Sequence, residues 1–272
     1  MKRIIVSVCV LFCSMYVTAQ LEEKPLVVVI ASYNNEQWCE QNLSSVFAQN
    51  YSNYRIVYIN DASTDATKNK VLHFCAQQKK KIPFAMIDNA QRRGAMENFY
   101  RAISTCKDEE IILILDGDDW FAHENVMTYI NDVYSNNDVW ITYGQYKEYP
   151  TGVVGFCQDF PQWVVQNNAF RRFENLPMSH LRTFYAGLFK KVAVEDFLDE
   201  SGNFLSMTCD KAMMAPMIEM AGERYKCIPD VLVIYNNSNP ISDHRVNHRM
   251  QLNLMHYVLG KKPYNRLSSL FN

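Results

Sequence analysis

Several common binding signatures are missing from this chain of 272 residues. No G-x-G-x-x-G follows the first apolar run and no glycine-lysine phosphate loop occurs, which argues against a dinucleotide oxidoreductase and a P-loop NTPase. The eight cysteines include no C-x-x-C pair, so no zinc site of the usual spacing is expected. Because 27 Lys and Arg nearly balance 29 Asp and Glu, the net charge is only -2 and no nucleic-acid partner is expected.

Internal repeats, low-complexity segments and long membrane-type apolar runs are also missing. Residues 1–19 carry two basic residues, then the short apolar run Ile4 to Tyr16, then a small-residue pattern typical of a secretory signal. We therefore expect the chain in the lumen of the secretory pathway or outside the cell, with an N-terminal membrane anchor or a buried first strand as alternatives. Residues 20–272 are expected to form a single domain.

Six cysteines lie beyond residues 1–19, an even number that an oxidising lumen could pair. Their wide and irregular spacing fits buried unpaired thiols equally well, and both interpretations stay open. Three N-x-S triplets, at Asn42, Asn50 and Asn236, are compatible with a lumenal location, although such triplets also arise by chance.

Strand-like and helix-like segments alternate along the first half of the chain. Apolar runs of strand length begin at Leu26, Tyr54, Phe84 and Glu110, and segments with helical spacing follow the first three of them. Such alternation predicts an α/β domain with a Rossmann-like, mostly parallel sheet and helices on both faces. Ligands of such sheets bind at the carboxyl ends of the strands.

Polar residues follow three of these predicted strands, at Ser32 to Glu36, Asp61 to Asp65 and Asp116 to Asp119. The last group places three carboxylates within four positions. Mutual repulsion raises the free energy of such a cluster unless a cation lies among the carboxylates. The sequence thus predicts a cation site at this edge of the sheet, with a solvated acidic turn as the alternative.

Four motifs carry a resemblance, in this order along the chain: VVVIASYNNE, VYINDASTDAT, RRGAMENFYRAI and LILDGDDW. Together they resemble the nucleotide-sugar-binding half of family 2 glycosyltransferases, which have the GT-A fold. The resemblance is clear over residues 26–143 and weaker beyond. It implies a sugar-donor half at 20–143 and an acceptor half at 144–272. It also implies that a sugar is transferred, with inversion, from a nucleotide-diphosphate sugar to an acceptor hydroxyl. A UDP-sugar is the favoured donor, and the acceptor is a glycan, a glycoprotein or a lipid-linked molecule. The resemblance further implies that Mn²⁺ or Mg²⁺ is bound.

The same resemblance implies roles for individual residues. Those implied to bind the sugar donor are Ser32, Tyr33, Asn34, Glu36, Asn60, Asp61, Arg93 and Asp116. Asp118 is implied to bind the metal, and Asp116 and His244 are further candidates for metal ligands. Asp119 is implied to lie near the metal without binding it. The family's usual DDGS reads NDAS here, so Asp61 is the residue expected to hold the base. A turn that caps the following helix is the alternative for this motif, and a solvated side chain is the alternative for Arg93.

In the second half, the family's usual ED pair reads CD at Cys209 and Asp210. The resemblance implies that Asp210 is the general base, which takes the proton from the acceptor hydroxyl as its oxygen attacks the anomeric carbon. A helix N-cap without a catalytic role is the alternative. His180 and Arg182 lie in a segment expected to face the acceptor.

The end of the chain predicts a short amphipathic helix at 252–259. Such a helix can make peripheral contact with a membrane surface, and packing against the domain is the alternative. Two other functions stay open for the whole chain. One is non-catalytic binding of a nucleotide sugar or carbohydrate on the same fold. The other is nucleotidyl transfer, which is disfavoured because SYNNEQW lacks a glycine-rich basic loop.

Overall fold

The computed structural model describes residues 22–173, 176–240 and 248–271. The predicted signal segment 1–19 and the metal candidate His244 lie outside these residues. Within the described ranges, none of the helices has both the length and the apolar composition needed to cross a membrane.

The described residues form eight strands. They are β1 (Leu26–Ser32), β2 (Tyr54–Asn60), β3 (Phe84–Asp88), β4 (Ile111–Asp116), β5 (Trp120–Phe121), β6 (Ile141–Tyr149), β7 (Ser179–Tyr185) and β8 (Tyr225–Asn236). These strands make one sheet in the order β3-β2-β1-β4-β7-β6-β8-β5. The β1–β2, β1–β4, β2–β3 and β6–β8 pairs are parallel, whereas β4–β7, β6–β7 and β5–β8 are antiparallel. The predicted mostly parallel sheet is confirmed.

Eight α-helices accompany the sheet in the described part of the chain. They are α1 (Cys39–Phe47), α2 (Thr67–Gln77), α3 (Ala95–Ser104), α4 (Val126–Tyr134), α5 (Gln162–Gln166), α6 (Ala186–Phe189), α7 (Cys209–Ala221) and α8 (His248–Gly260). Two short 3₁₀ helices span Phe170–Arg172 and Val194–Phe197. Helix α3 packs against β1 and α7 packs against β6, as expected for an α/β domain.

The central strands are buried because both of their faces are covered. Residues 26–30 of β1 are at most 1% exposed, and residues 111–115 of β4 are equally buried. Continuous apolar runs are typical of such strands. β1 lies between β2 and β4, so the order of the strands reverses there, and Ala31 pairs with Asp116 at the carboxyl ends. A ligand crevice is expected at this point of reversal.

The antiparallel strand β7 lies next to β4, with Ile111 opposite Tyr185 and Ile114 opposite Arg182. All seven residues of β7 are buried. Because β7 runs against β4, its N-terminal residues lie at the carboxyl end of β4. His180 is thereby brought to the same edge as the acidic motif that ends β4.

The end of the chain packs against the domain in its described part. Helix α8 contacts α7, its Val258 is buried, and the Val258 carbonyl accepts a hydrogen bond from Arg171. Packing of the C-terminal helix against the domain, given above as the alternative to a membrane contact, is thus observed. Peripheral membrane contact stays a prediction.

Candidate active site

A cavity of about 550 Å³ opens at the carboxyl ends of β1 and β4. Its volume lies in the range of small-ligand sites. Charged and aromatic side chains from both halves of the chain line it, including Tyr33, Arg92, Asp116, Asp118, Arg182 and Asp210. The two predicted halves of the chain therefore meet around one site.

The acidic turn after β4 is held by neutral backbone and amide groups. The Gly117 N–H donates to the Ala31 carbonyl at 3.1 Å, and the Asp119 N–H donates to the Asp116 carbonyl at 3.0 Å. From α1, Asn42 Nδ2 donates to the carbonyl oxygens of Asp116 at 2.9 Å and Asp119 at 2.7 Å. These contacts fix the turn without neutralising its carboxylates.

Asn42 is a positioning residue that the sequence pattern marked only as part of an N-x-S triplet. It is fully buried, and Asn236 is 1% exposed, so neither triplet is accessible in the folded protein. Asn50 is exposed. The signal that could have revealed the role of Asn42 is its place beside the buried Leu43 on the inner face of α1.

Asp116, Asp119 and His180 bring possible metal-ligand atoms within 4.8 Å of one another. His180 Nε2 lies 3.3 Å from Asp116 Oδ2 and 4.0 Å from Asp119 Oδ2. Asp119 Oδ1 accepts a hydrogen bond from the Asn236 N–H at 2.8 Å. Asp119 Oδ2 is buried and has no hydrogen-bond partner among the described residues.

Burial has the largest effect on the pKa values of Asp119 and His180 in this group. Burial, together with the neighbouring charges of Asp118 and Asp116, raises the pKa of Asp119 well above its usual value. Burial and the charge of Arg182 lower the pKa of His180, so its imidazole is neutral at pH 7 and can act as a ligand.

These residues fit a divalent cation. A bound cation would satisfy the unpartnered oxygen of Asp119, and carboxylate oxygens are the ligands that Mn²⁺ and Mg²⁺ prefer. Asp118 also lines the cavity, where its Oδ2 accepts a hydrogen bond from Asn239 Nδ2 at 2.7 Å. Asp118 is not in the three-residue group, whereas the neighbouring Asp119 is. The metal role of Asp118 stays a prediction.

The carboxylate of Asp61 is occupied by the loop that precedes α3. It accepts hydrogen bonds of 2.9 Å from the backbone N–H groups of Arg93 and Gly94 and from Asn89 Nδ2. Burial alone would raise the pKa of Asp61, but these hydrogen bonds lower it below its usual value. Asp61 is only 3% exposed. Its predicted contact with a base stays a prediction and requires the loop to share this carboxylate.

Asn34 and Glu36 join the loop after β1 to the loop after β2. Asn34 Oδ1 accepts from the Thr64 N–H at 2.8 Å, and Glu36 Oε2 accepts from the Ala66 N–H at 2.9 Å. These two candidate residues therefore hold the shape of the loops, and neither is among the residues that line the cavity, so their predicted contact with a sugar donor stays a prediction.

Ser32 and Asn60 are buried at the ends of β1 and β2. Ser32 Oγ accepts from Asn35 Nδ2 at 3.2 Å, and Asn60 Nδ2 donates to Asp88 Oδ1 at 2.8 Å. Both side chains thus have partners within the protein, and their predicted contacts with a sugar donor remain to be tested.

Of the two adjacent arginines before α3, Arg92 lines the cavity and stacks over the Tyr33 ring at 4.1 Å. The predicted residue, Arg93, instead pairs with Glu97 at 2.6 Å. Because consecutive arginines give the same sequence signal, only the fold could distinguish them. Of these two residues only Arg92 lines the cavity, and the predicted donor contact of Arg93 stays a prediction.

Asp210 stands on the wall of the cavity formed by the second half of the chain. It is the second residue of α7, and the N-cap position is Thr208, so Asp210 is not the cap of this helix. Its Oδ2 lies 3.6 Å from Arg182 Nη2 and 3.8 Å from Lys211 Nζ. A carboxylate and an arginine thus face the cavity together.

The close contact between Gly117 and β1 yields a testable prediction. A Cβ atom at position 117 would lie 2.6 Å from Ser32 Cβ and 2.9 Å from the Ala31 carbonyl oxygen, and the latter is backbone that cannot rotate away. Gly117→Ala is expected to displace the acidic turn and to lower the free energy of unfolding by about 1–3 kcal/mol. Urea denaturation measures that loss.

Gly260→Ala is the matched control, because a Cβ atom there meets nothing within 4 Å. This control variant should unfold at the wild-type urea concentration or slightly above it, because Gly260 ends α8 and alanine favours the helical backbone. Equal stability of the two variants would show that the contact between the turn and β1 is not tight.

Comparison with known families places these observations in context. The sequence model described as "Glycosyl transferase family 2" matches residues 27–197. An uncharacterized glycosyltransferase of Haemophilus influenzae is 29% identical over 134 residues, which cover 47% of this chain and 38% of that protein. The Escherichia coli protein named UDP-Glc:alpha-D-GlcNAc-diphosphoundecaprenol beta-1,3-glucosyltransferase WfgD is 31% identical over 121 residues, 44% of this chain and 45% of that protein. The chain therefore spans less than half the length of these curated relatives.

Solved structures show the same fold. S. aureus TarS 1-349 in complex with UDP-GlcNAc superposes with a TM-score of 0.60 at 14% identity, over 86% of this chain and 65% of that chain. Glucosyl-3-phosphoglycerate synthase from Mycobacterium tuberculosis, in complex with Mn²⁺, UDP and phosphoglyceric acid, gives a TM-score of 0.58 at 12% identity, over 87% of this chain and 79% of that chain. The predicted GT-A fold and the resemblance read from the four motifs are confirmed.

Proposed function

Because the chain belongs to glycosyl transferase family 2, we propose that it transfers a sugar from a UDP-sugar to an acceptor hydroxyl, with inversion and with a bound divalent cation. One observation carries the proposal. Asp116, His180 and Asp210, which lie far apart in sequence, line one cavity at the carboxyl ends of β1 and β4, and the buried Asp119 lies against Asp116 and His180.

The comparisons support a uridine nucleotide and a glycan-type acceptor. UDP-GlcNAc is bound in the S. aureus structure, and UDP is bound in the M. tuberculosis structure. The name of the E. coli relative specifies UDP-glucose and a lipid-linked acceptor. We therefore assign a UDP-sugar as the sugar donor, and a hydroxyl of a glycan, glycoprotein or lipid-linked glycan as the acceptor.

The sugar donor is held mainly by the first half of the chain in this proposal, and His180 is contributed by β7 of the second half. Asp116, Asp119 and His180 would hold Mn²⁺ or Mg²⁺, which supplies positive charge beside the departing nucleoside diphosphate. Arg92, whose guanidinium is held over the Tyr33 ring in the cavity lining, offers positive charge for an anionic group of the nucleotide.

The second half supplies the acceptor side. Asp210 takes the proton of the acceptor hydroxyl as its oxygen attacks the anomeric carbon from the face opposite the diphosphate, which inverts the configuration. Arg182 lies beside Asp210, and its buried Nε has no hydrogen-bond partner among the described residues. Arg182 is therefore able to donate to an anionic group of the bound substrates.

Metal-dependent binding of the sugar donor is the direct test. A ligand that binds only the native state raises its stability, by about 2.7 kcal/mol at 100 times Kd. A UDP-sugar together with Mn²⁺ is expected to raise the melting temperature by several degrees. Asp119→Asn is expected to abolish the Mn²⁺-dependent part of this rise, since it removes the charge of the unpartnered oxygen. Thermal shift with a panel of UDP-sugars measures both effects.

Asp138→Asn is the matched control, because Asp138 is exposed and outside the cavity lining. It should keep the full Mn²⁺-dependent rise. If Mn²⁺ raises the melting temperature of Asp119→Asn as much as that of the wild type, Asp119 is not part of the metal site. If the chain binds UDP-sugars but releases no UDP when acceptors are present, it is a non-catalytic nucleotide-sugar binder. Release of pyrophosphate would instead favour nucleotidyl transfer.

A further inference from the structure

Two cysteines that are distant in sequence meet beside the cavity. Cys157 follows β6 and Cys227 lies in β8, and their Sγ atoms are 3.2 Å apart across a sequence separation of 70 residues. Both residues are partly buried. We propose that Cys157 and Cys227 form a disulfide bond that fixes one wall of the cavity. This inference rests on the contact between the two thiols and does not depend on the transfer reaction.

The surroundings of Cys157 favour this pairing because they already hold the chain that follows it against β6 and β8. Tyr143 Oη donates to the Gln158 carbonyl at 3.0 Å, and Tyr225 Oη donates to Asp159 Oδ1 at 2.5 Å. Cys157 Sγ also lies 3.7 Å from the Ile228 carbonyl oxygen. A sulfur–sulfur bond of about 2.05 Å therefore requires the two Sγ atoms to approach by only about 1 Å.

Two of the other described cysteines, Cys39 and Cys106, have different partners. Cys39 Sγ lies 3.9 Å from the Glu36 carbonyl oxygen, and Cys106 Sγ lies 3.5 Å from the Ala102 carbonyl oxygen. Both are buried, whereas Cys75 is half-buried and burial raises its pKa to about 11. Cys75 is thus partly accessible to solvent, and it serves below as the control for substitutions of Cys157 and Cys227.

The bond would form by exchange with a small disulfide in two steps. The contact with Cys227, together with burial, raises the pKa of Cys157, while the contact with Cys157 lowers the pKa of Cys227. The Cys227 thiolate attacks a small disulfide RSSR and releases one RS⁻. The Cys157 thiolate then attacks the Cys227 sulfur of the mixed disulfide and releases the second RS⁻. The two cysteines lose two electrons and two protons, and RSSR becomes two RSH.

The disulfide would act on the wall of the cavity through Phe156. This residue lines the cavity, is 60% exposed, and directly precedes Cys157. On its other side, a short hairpin is held by the Gly155 N–H, which donates to the Tyr146 carbonyl at 2.9 Å. A covalent link at Cys157 would leave Phe156 between two fixed points. The exposed segment that includes Val153 and Val154 would then be anchored at both ends.

Non-reducing peptide mapping of the full chain tests the proposal. After incubation with oxidised glutathione, a peptide containing Cys157 should be joined to a peptide containing Cys227, and dithiothreitol should separate them. The oxidised chain should melt about 5–10 °C above the reduced chain, because the link closes a long loop in the unfolded chain. Cleavage by chymotrypsin after Phe156 should be slower in the oxidised chain.

Three variants complete the test. Cys75→Ser should keep both the joined peptides and the redox-dependent melting difference, whereas Cys157→Ser and Cys227→Ser should lose both. If either of the last two fails to fold, the oxidised and reduced wild-type chains still decide the question. Two free thiols after oxidation, separate glutathione adducts on each cysteine, or a link to a different cysteine would each overturn the proposal.

Discussion

Asp210→Asn is expected to lower kcat by about 10²- to 10⁴-fold while metal-dependent binding of the sugar donor persists. Asparagine keeps the shape of the side chain but cannot accept the proton of the acceptor hydroxyl. Burial tends to raise the pKa of Asp210, but the charges of Lys211 and Arg182 outweigh burial and hold the pKa below its usual value. The carboxylate is therefore ionised at neutral pH and ready to accept a proton.

Release of UDP at saturating concentrations of both substrates measures kcat, and thermal shift with Mn²⁺ measures binding of the sugar donor. The exposed Asp138 gives the matched control, since Asp138→Asn makes the same chemical change away from the cavity. NMR of the product should show the anomeric configuration opposite to that of the sugar donor. Near-normal kcat in Asp210→Asn, or a retained configuration, would remove Asp210 from the role of base.

The first half of the fold could be predicted because its signals are local. Each of the first four strands is an apolar run, and polar residues begin where the run ends, as at Ser32 and Asp116. Parallel strands bring their carboxyl ends to one edge of a sheet, so the position of the acidic turn followed from the order of segments. The structure confirms these four strands with closely similar bounds.

The contact between the acidic turn and β7 could not be predicted from local signals. His180 lies 64 residues from Asp116, and the two meet because β7 pairs with β4 in the antiparallel direction. Pairing of distant strands depends on the whole sheet. For the same reason the sequence pattern drew attention to Asp118, whereas the burial of Asp119 and its place beside Asp116 and His180 appear only in the folded chain.

A buried ion pair in the second half was also missed, although the sequence carried a signal for it. Glu219 is an isolated acid among apolar residues of α7, and a charge in such a place requires a partner. Arg171 Nε donates to Glu219 Oε1 at 2.7 Å, and Arg171 Nη1 donates to the Val258 carbonyl at 2.8 Å. Glu219 Oε2 accepts from the Tyr264 N–H at 3.0 Å. The pair thus ties α7 to the end of the chain.

Glu219→Gln is expected to lower the free energy of unfolding by about 3–5 kcal/mol, the usual cost of removing one partner of a buried ion pair. The side chains of Arg171 and Glu219 are 3% and 0% exposed, so water cannot solvate the guanidinium left without its counter-charge. Burial raises the pKa of Glu219, and the hydrogen bonds from Arg171 and Tyr264 oppose that rise. Urea denaturation measures the loss.

Glu97→Gln is the matched control, because its partner Arg93 is 44% exposed and such pairs contribute about 0–1 kcal/mol. The variant that combines Arg171→Met with Glu219→Met removes both charges and should lose less stability than Glu219→Gln, since the cost arises from a buried charge without a partner. A Glu219→Gln loss no larger than that of Glu97→Gln would show that water or another group reaches Arg171. A double variant less stable than Glu219→Gln would show that the hydrogen bonds to Val258 and Tyr264, rather than the uncompensated charge, set the cost.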